Sequence, residues 1–299
     1  MGNKIGIRNN YRSEIDGLRA FAVVAVIINH FNKDLLPSGY LGVDIFFVIS
    51  GYVITSSLNA RKSKNFWDFI SGFYERRIKR LFPALCVFVL ITSILICFFN
   101  FYPIWSLRTG IASLFGVSNI YLLKHAIKYF ASTTDLNVFT HTWSLGVEEQ
   151  FYIIFPILTW LTGFSRQTSK GERNLILLVL FLVVSSLISF IFLYPINQPA
   201  AYFLMPTRFW EMATGCLLFL GYKKNFLIIN RFENTSPIFV LAAIIGVMFL
   251  PISSAIPATI LVVILSSLLI LNIREEKLLY KFFTNKKITY LGLISYSLY

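Results

Sequence analysis

The sequence is poor in charge, in histidine and in cysteine. Charged residues make up 14% of the 299 residues, and there are 14 acidic residues against 27 lysines and arginines. The three cysteines, Cys86, Cys97 and Cys216, lie within apolar runs, and neither a CxxC nor an HExxH spacing occurs. These absences argue against a disulfide framework and against a metal site. Nucleic-acid binding is equally disfavoured, because the basic residues lie between hydrophobic segments and not on a soluble module.

Apolar residues are in excess. The sequence is 56% hydrophobic with a mean hydropathy of +0.68, whereas soluble domains are about 45–50% apolar. We therefore predict an all-α, polytopic transmembrane helical bundle with about 9–10 membrane segments. The expected segments are 15–32, 41–58, 81–102, 106–123, the run that ends at 162, 174–195, 200–222, 236–252, 256–272 and the start of a last helix at 288–299. Residues 59–80 are predicted to be a hydrophilic loop with an amphipathic part at the membrane surface.

Basic residues indicate the orientation. They concentrate in five loops, 1–14, 59–80, 164–173, 223–235 and 273–287. All five lie on one side if residues 106–123 form a re-entrant or surface segment, and the positive-inside rule favours that count. The N-terminus is then cytoplasmic. Polar residues precede the first apolar run, so we expect no cleavable signal peptide.

The first apolar run carries an unusual pair of polar residues, Arg19 and His30, after the lead Asp16-Gly-Leu. Eleven helical steps turn through about 1100°, which places both side chains on one face about 16 Å apart along the axis. Ionisable groups inside a membrane are costly and point to function by default. The alternative is that His30 only ends the helix at the far interface.

Two further pairs have both a functional and a structural interpretation. Ser50 and Gly51 are small residues that could simply allow close helix packing. Arg77 and Arg80 share a helix face and could grip phosphate, but from the residues alone headgroup contact and the positive-inside rule explain them better.

A polar cluster opens the next long apolar run. It contains His141, Trp143, Glu148, Glu149 and Gln150. The glutamates could merely offset the helix dipole, with Thr142 or Ser144 as the cap, but the cluster is dense for capping alone. Farther along, Arg208 and Glu211 are three residues apart and are predicted to pair inside the membrane.

Taken in order, these residues resemble the acyltransferase-3 family of membrane O-acyltransferases, the O-antigen acetylase-like proteins. The resemblance covers essentially the whole chain. The motifs that carry it are Arg19-x10-His30 with its lead, Gly42-Val-Asp44-Ile-Phe-Phe-Val-Ile-Ser50-Gly51-Tyr, Arg77-x-x-Arg80 with Phe82-Pro83, His141-Thr-Trp-Ser-Leu-Gly-Val-Glu148-Glu149-Gln150-Phe-Tyr and Ile294-Ser-Tyr-Ser-Leu-Tyr299.

The resemblance implies transfer of an acyl group, usually acetyl, from cytoplasmic acyl-CoA to a hydroxyl of an envelope glycan or glycolipid such as the O-antigen of lipopolysaccharide. Acyl-CoA is then the donor substrate, and neither a permanently bound cofactor nor a metal is expected. The implied location is the bacterial inner membrane. Residues 1–299 are expected to form the transmembrane acyltransferase domain, without the later helices of relatives and without their SGNH hydrolase-like domain, which could be fused or separate.

For the chemistry, our hypothesis assigns three roles. His30 is the base that deprotonates the acceptor hydroxyl, and Glu149, with His141, orients a histidine or acts as a second base. Arg19, Arg77 and Arg80 bind the donor. Supporting roles are expected for Asp16, Ser50, Gly51, Trp143, Glu148, Arg208, Glu211 and Tyr296.

Two other classes of function remain open at this stage. A transporter or flippase for a glycan or lipid would also place polar groups along a membrane path. A structural scaffold without chemistry is the third interpretation. Dependence on acyl-CoA separates an enzyme from both.

Overall fold

A computed structural model of the protein describes residues 12–61, 63, 65–129, 137–224, 235–273 and 278–298, apart from the side chains of 125–129, 252 and 296–298. All regular structure within these ranges is helical. The α-helices are α1 Ser13–Phe31, α2 Gly42–Asn59, α3 Phe66–Phe99, α4 Ile104–Leu114, α5 Ser118–Tyr129, α6 Trp143–Leu161, α7 Ser169–Ile196, α8 Gln198–Phe203, α9 Met205–Lys223, α10 Pro237–Met248, α11 Ala255–Asn272, α12 Leu278–Phe283 and α13 Lys286–Leu298. The predicted all-α polytopic bundle is confirmed.

Four helical segments of the described chain are long and apolar enough to cross a membrane on their own. These are Gly39–Asn59, Phe66–Phe99, Ser169–Ile196 and Ala255–Asn272. The second and third are buried over only 22% of their most apolar window, so most of their apolar surface faces outward. Exposing so much apolar surface to water is unfavourable, whereas lipid accommodates it. The protein is therefore a multi-pass membrane protein.

Helix α3 differs from the sequence prediction. Residues 66–80 do not lie in a loop but form the first turns of one 34-residue helix that runs to Phe99. Asn65 caps this helix by accepting a hydrogen bond from the Asp68 amide at 2.8 Å. A helix of that length extends about 51 Å, well beyond a hydrocarbon core of about 30 Å. Arg77 and Arg80 therefore lie on the amphipathic N-terminal turns of α3, next to the apolar turns that can cross the membrane.

The segment 106–123 is broken into two helices. Helix α4 ends at Leu114 and α5 begins at Ser118, with Gly116 between them at a φ of +66°. Glycine adopts that backbone conformation at no steric cost. The two helices have 11 and 12 residues, so each is about 16–18 Å long and neither alone matches the hydrocarbon thickness.

Close backbone contact joins α2 to α9. A Cβ atom on Gly51 would lie 1.8 Å from the Met212 carbonyl oxygen, and one on Gly215 would lie 2.0 Å from that of Val48. Small residues at such points are what allow helices to approach closely in membranes. Helix α1 packs similarly against α13, where a Cβ on Gly292 would lie 1.8 Å from the Asp16 carbonyl oxygen.

Candidate functional site

Helices α1, α2, α3, α6 and α13 enclose a cavity of about 1020 Å³. Most of its wall is apolar, and the polar side chains reach it from helices that are far apart in sequence. The polar residues that line the cavity are Arg19, His30, Ser50, Arg77, Arg80, His141, Thr142, Ser144, Glu148, Tyr152 and Ser295. A concave, mostly apolar site with a few converging polar groups is the usual form of a ligand site.

Three arginines occupy one end of the cavity. Arg19 lies 3.1 Å from a carboxylate oxygen of Asp16, one turn earlier on α1. The charges of Arg19 and Arg77 both act on the Arg80 guanidinium. Among the described residues, neither Arg77 nor Arg80 forms an ion pair. Asp16 and, at longer range, Glu148 act on these three guanidinium groups, so two carboxylates against three cations still leave this end suited to an anionic ligand.

Aromatic rings hold the Arg77 side chain. Its guanidinium carbon lies 5.0 Å from the centre of the Tyr152 ring and 5.7 Å from that of Phe73. Both distances are within the range of a cation–π interaction. The guanidinium is thereby positioned without a carboxylate that would neutralise it.

The middle of the wall carries a short hydrogen-bonded group. Ser50 donates its hydroxyl to Oε1 of Glu148 at 2.6 Å, and Tyr152 donates to Oε2 of the same carboxylate at 3.0 Å. Glu148 and Tyr152 lie one helical turn apart on α6, whereas Ser50 reaches them from α2. Both oxygens of Glu148 thus accept hydroxyl protons at the cavity.

Two histidines occupy the other end. The His30 Nδ1 donates to the Val26 carbonyl oxygen at 2.9 Å, because a carbonyl can only accept. In the neutral ring, Nε2 is then the acceptor. The His141 ring, in the 3₁₀ turn before α6, packs edge-on against Phe88 with centroids 5.4 Å apart. Burial, and secondly the nearby His30, lowers the pKa of His141 to about 4, so its ring is neutral at pH 7.

The distance between the two ends follows from α1. Arg19 and His30 both line the cavity from this helix, eleven residues apart. At a rise of 1.5 Å per residue that separation is about 16 Å. The cavity is therefore long enough to hold a charged group at one end and a reacting group at the other.

Glu149, which the sequence led us to name ahead of Glu148, is not among the cavity-lining residues. It faces the turn between α4 and α5, where its Oε2 would lie 2.3 Å from a Cβ atom on Gly116. The next residue, Gln150, donates to the Gly116 carbonyl oxygen and to Asn119. Successive helix residues point about 100° apart, and the rotation of α6 turns Glu148, not Glu149, toward the cavity.

Arg208 and Glu211 belong to a buried cluster outside the cavity lining. Arg208 Nη1 lies 2.6 Å from Glu211 Oε1 and 2.7 Å from Asp44 Oδ1. Its guanidinium carbon is also 5.7 Å from the centre of the Trp143 ring and 5.0 Å from that of Tyr202. The cluster links α2, α6 and α9 behind the cavity wall, and Gly51 makes the backbone contact described above.

Two of the residues predicted to support the site, Asp16 and Tyr296, lie on α1 and α13. Asp16 is buried and pairs with Arg19, so it positions that side chain at the arginine end of the cavity. The side chain of Tyr296 lies outside the described residues, although Ser295 beside it lines the cavity.

The model of the acyltransferase-3 family, described as an acyltransferase domain, matches residues 12–299. The chain belongs to this family. The resemblance found in the motifs is therefore confirmed, and every residue of the cavity lies inside the family's domain.

Curated members of the family show sequence similarity to this chain. It is 38% identical over 211 residues to the peptidoglycan O-acetyltransferase OatA of Listeria monocytogenes, which is 70% of this chain and 33% of the relative. It is 38% identical over 214 residues to the O-acetyltransferase OatA of Staphylococcus aureus, 70% of this chain and 34% of the relative. For the YrhL protein of Bacillus subtilis the identity is 35% over 229 residues, 76% and 36% of the two chains.

The chain spans about a third of the length of these curated relatives. No solved structure is significantly similar to it.

Sequence reasoning missed two residues at the site of this family member. One is Tyr152, which ends a family motif and to which the sequence analysis assigns no role. Its spacing of four from Glu148 places both on one helix face. The other is Asp44, which occurs in a family motif but has no predicted partner. Its contact with Arg208, 164 residues away, has no local signal in the sequence.

Proposed function

We propose that the protein is a membrane O-acetyltransferase that moves an acetyl group from acyl-CoA to a hydroxyl of a cell-wall glycan. The observation that carries this proposal is one cavity with three arginines at one end and two histidines at the other. The names of the related proteins support acetyl as the acyl group.

The arginine end fits the donor. Coenzyme A carries a pyrophosphate and a further phosphate, and guanidinium groups bind phosphate oxygens in paired hydrogen bonds. Arg77 and Arg80 form no ion pair among the described residues, so their guanidinium groups can form paired hydrogen bonds to such a ligand. The extended pantetheine arm would carry the thioester along the cavity, away from the phosphates.

The histidine end fits the acceptor. Because Nδ1 of His30 is engaged by the Val26 carbonyl, Nε2 can take the proton of an alcohol as that alcohol attacks the acyl carbon. Glu148 replaces Glu149 as the carboxylate that we assign to the site, since only Glu148 lines the cavity.

For the acceptor we propose peptidoglycan in place of O-antigen. The names of two of these relatives, from Listeria monocytogenes and Bacillus subtilis, contain the words peptidoglycan O-acetyltransferase, and none of those named above is called an O-antigen enzyme. We place the N-terminus in the cytoplasm of the cell and the protein in its cytoplasmic membrane, as the basic loops favour. The arginine end of the cavity then faces the acyl-CoA pool.

Membranes that contain the protein can be given radiolabelled acetyl-CoA and assayed for label in the glycan. For His30→Ala we expect a loss of rate on the order of 10²–10⁴, the usual contribution of a general base. The matched control is Asn32→Ala, one residue beyond α1 and absent from the cavity lining, which should retain its rate.

Two outcomes would contradict the proposal. If His30→Ala works within tenfold of the wild type, the base assignment is wrong. If the wild type consumes no acyl-CoA of any chain length yet moves a glycan or lipid, a transporter is the better description.

A further inference from the structure

Ser50 has an unusual partner for a serine inside a membrane helix. Hydroxyls in this position commonly donate to the carbonyl one turn back, as Thr55 does to Gly51 at 2.8 Å and Ser113 to Thr109 at 2.8 Å. Ser50 instead donates across to the Glu148 carboxylate at 2.6 Å. A hydroxyl that is hydrogen-bonded to a base is the arrangement of an activated nucleophile.

Ser50 and Glu148 also lie at the cavity. Ser50 is only 6% exposed, yet it lines the cavity together with Glu148. The second oxygen of Glu148 is held by Tyr152, and the Tyr152 ring lies under the Arg77 guanidinium. The hydroxyl is therefore linked, through two side chains, to the end of the cavity that we assign to the donor.

We propose that Ser50 accepts the acyl group from the thioester as a covalent ester, with Glu148 as its base. This inference rests on the proposed function and deepens it, because it divides the transfer into two half-reactions. The donor and the acceptor glycan then need not occupy the cavity together.

The two steps balance. In the first, Ser50 Oγ attacks the thioester carbonyl, its proton passes to Glu148, the carbon–sulfur bond breaks, and CoA leaves as a thiolate that takes a proton from water. In the second, the acceptor hydroxyl gives its proton to His30 and attacks the ester carbonyl. The bond to Ser50 Oγ then breaks, Glu148 returns the proton to Oγ, and His30 releases its proton to water.

The test is an acid quench of membranes that contain the protein, after brief exposure to radiolabelled acetyl-CoA. We expect label on the protein, at the peptide that contains Ser50, and its disappearance in Ser50→Ala. Ser50→Ala should also lose at least about a hundredfold in glycan labelling, as expected when a nucleophile is removed. Ser56→Ala is the matched control, because Ser56 lies on the same helix as Ser50 but is absent from the cavity lining.

Two more variants separate the half-reactions. His30→Ala should still carry label on Ser50 while it no longer labels the glycan. Ser50→Cys keeps a nucleophile of similar size, so its label should become sensitive to neutral hydroxylamine, as thioesters are. Equal yield and thermal midpoint of the variants in detergent exclude misfolding as the cause of a loss.

The inference is overturned if Ser50→Ala labels the glycan within tenfold of the wild type, or if the trapped label lies on another residue. Either result leaves the proposed acetyltransferase intact. A wild type that transfers no label from any acyl-CoA overturns the proposed function, and this inference with it.

Discussion

Arg208 and Arg77 are both arginines at membrane helices, yet their surroundings are opposite. Arg208 is 2% exposed and contacts two carboxylates and several aromatic rings. Arg77 has rings around it and forms no ion pair among the described residues, since Glu148 acts on it only at longer range. A guanidinium whose charge is matched inside the protein holds helices together, whereas one left unmatched at a cavity wall is ready for an anion from outside.

Replacing Arg208 should have the largest effect. Arg208→Leu leaves Asp44 and Glu211 buried without their cation, and breaking such a group costs about 3–5 kcal/mol. We expect a much lower thermal midpoint in detergent and a loss of protein from the membrane. Arg77→Leu, the same chemical change, is the control and should unfold near the wild-type temperature. Equal destabilisation of both variants would remove the distinction between the two arginines.

Replacing Arg77 should act on the donor. A hydrogen bond to a charged group contributes about 1.5–3 kcal/mol, so Arg77→Ala should raise the KM for acetyl-CoA roughly 10–100-fold. Lys79→Ala is matched to it, because Lys79 lies on the same helix but is 74% exposed and paired with Glu75. A KM that rises equally in both variants would mean that only the net charge of the region matters.

Gly51 tests the wall behind the cavity. A methyl group there would meet the Met212 backbone, and overpacking of this kind costs about 1–3 kcal/mol. Gly51→Ala should therefore unfold at a lower temperature. Gly246→Ala is the control, since a Cβ at that helical glycine meets nothing within 4 Å. A normal midpoint for Gly51→Ala would show that α2 and α9 can separate freely.

Tyr152 should give the smallest effect. Tyr152→Phe keeps the ring under Arg77 and removes the hydroxyl, which donates to Glu148 at 3.0 Å and more weakly to Ser50 at 3.5 Å. Loss of the shorter hydrogen bond costs about 0.5–1.5 kcal/mol. The KM for acetyl-CoA should stay unchanged while kcat falls less than about tenfold. Tyr152→Leu, which also removes the ring, should raise that KM. If Tyr152→Phe raises the KM as much as Tyr152→Leu does, the hydroxyl and not the ring positions Arg77.

Periodicity and spacing were enough for features that lie along one helix. The eleven-residue spacing predicted that Arg19 and His30 share a face, and both line the cavity from α1. The spacing of three likewise predicted the pairing of Arg208 with Glu211. Helix propensity and apolar runs predict most of the helices. They do not predict the amphipathic start of α3, because its polar residues interrupt the apolar run that identifies the rest of the helix.

Features that join distant parts of the chain were not predictable. Ser50 and Glu148 are 98 residues apart, and Asp44 and Arg208 are 164 apart. A choice between Glu148 and Glu149 needs the rotation of α6 about its axis. That rotation is set by packing against α2 and α5, which leaves no mark on the local sequence.

The glycine contacts between α2 and α9 hold in place the wall of the cavity that α2 forms. The carbonyl oxygens of Met212 and Val48 lie so close to Gly51 and Gly215 that a sliding motion of these helices would press them against residues that carry a Cβ atom. Ser50 is carried on this fixed wall. Helix α3, largely uncovered by protein along its apolar part, forms the opposite wall with Arg77 and Arg80 at its base. The Ser50 hydroxyl thus lies on the wall that backbone contact holds in place, whereas Arg77 and Arg80 lie on a wall that the protein covers little.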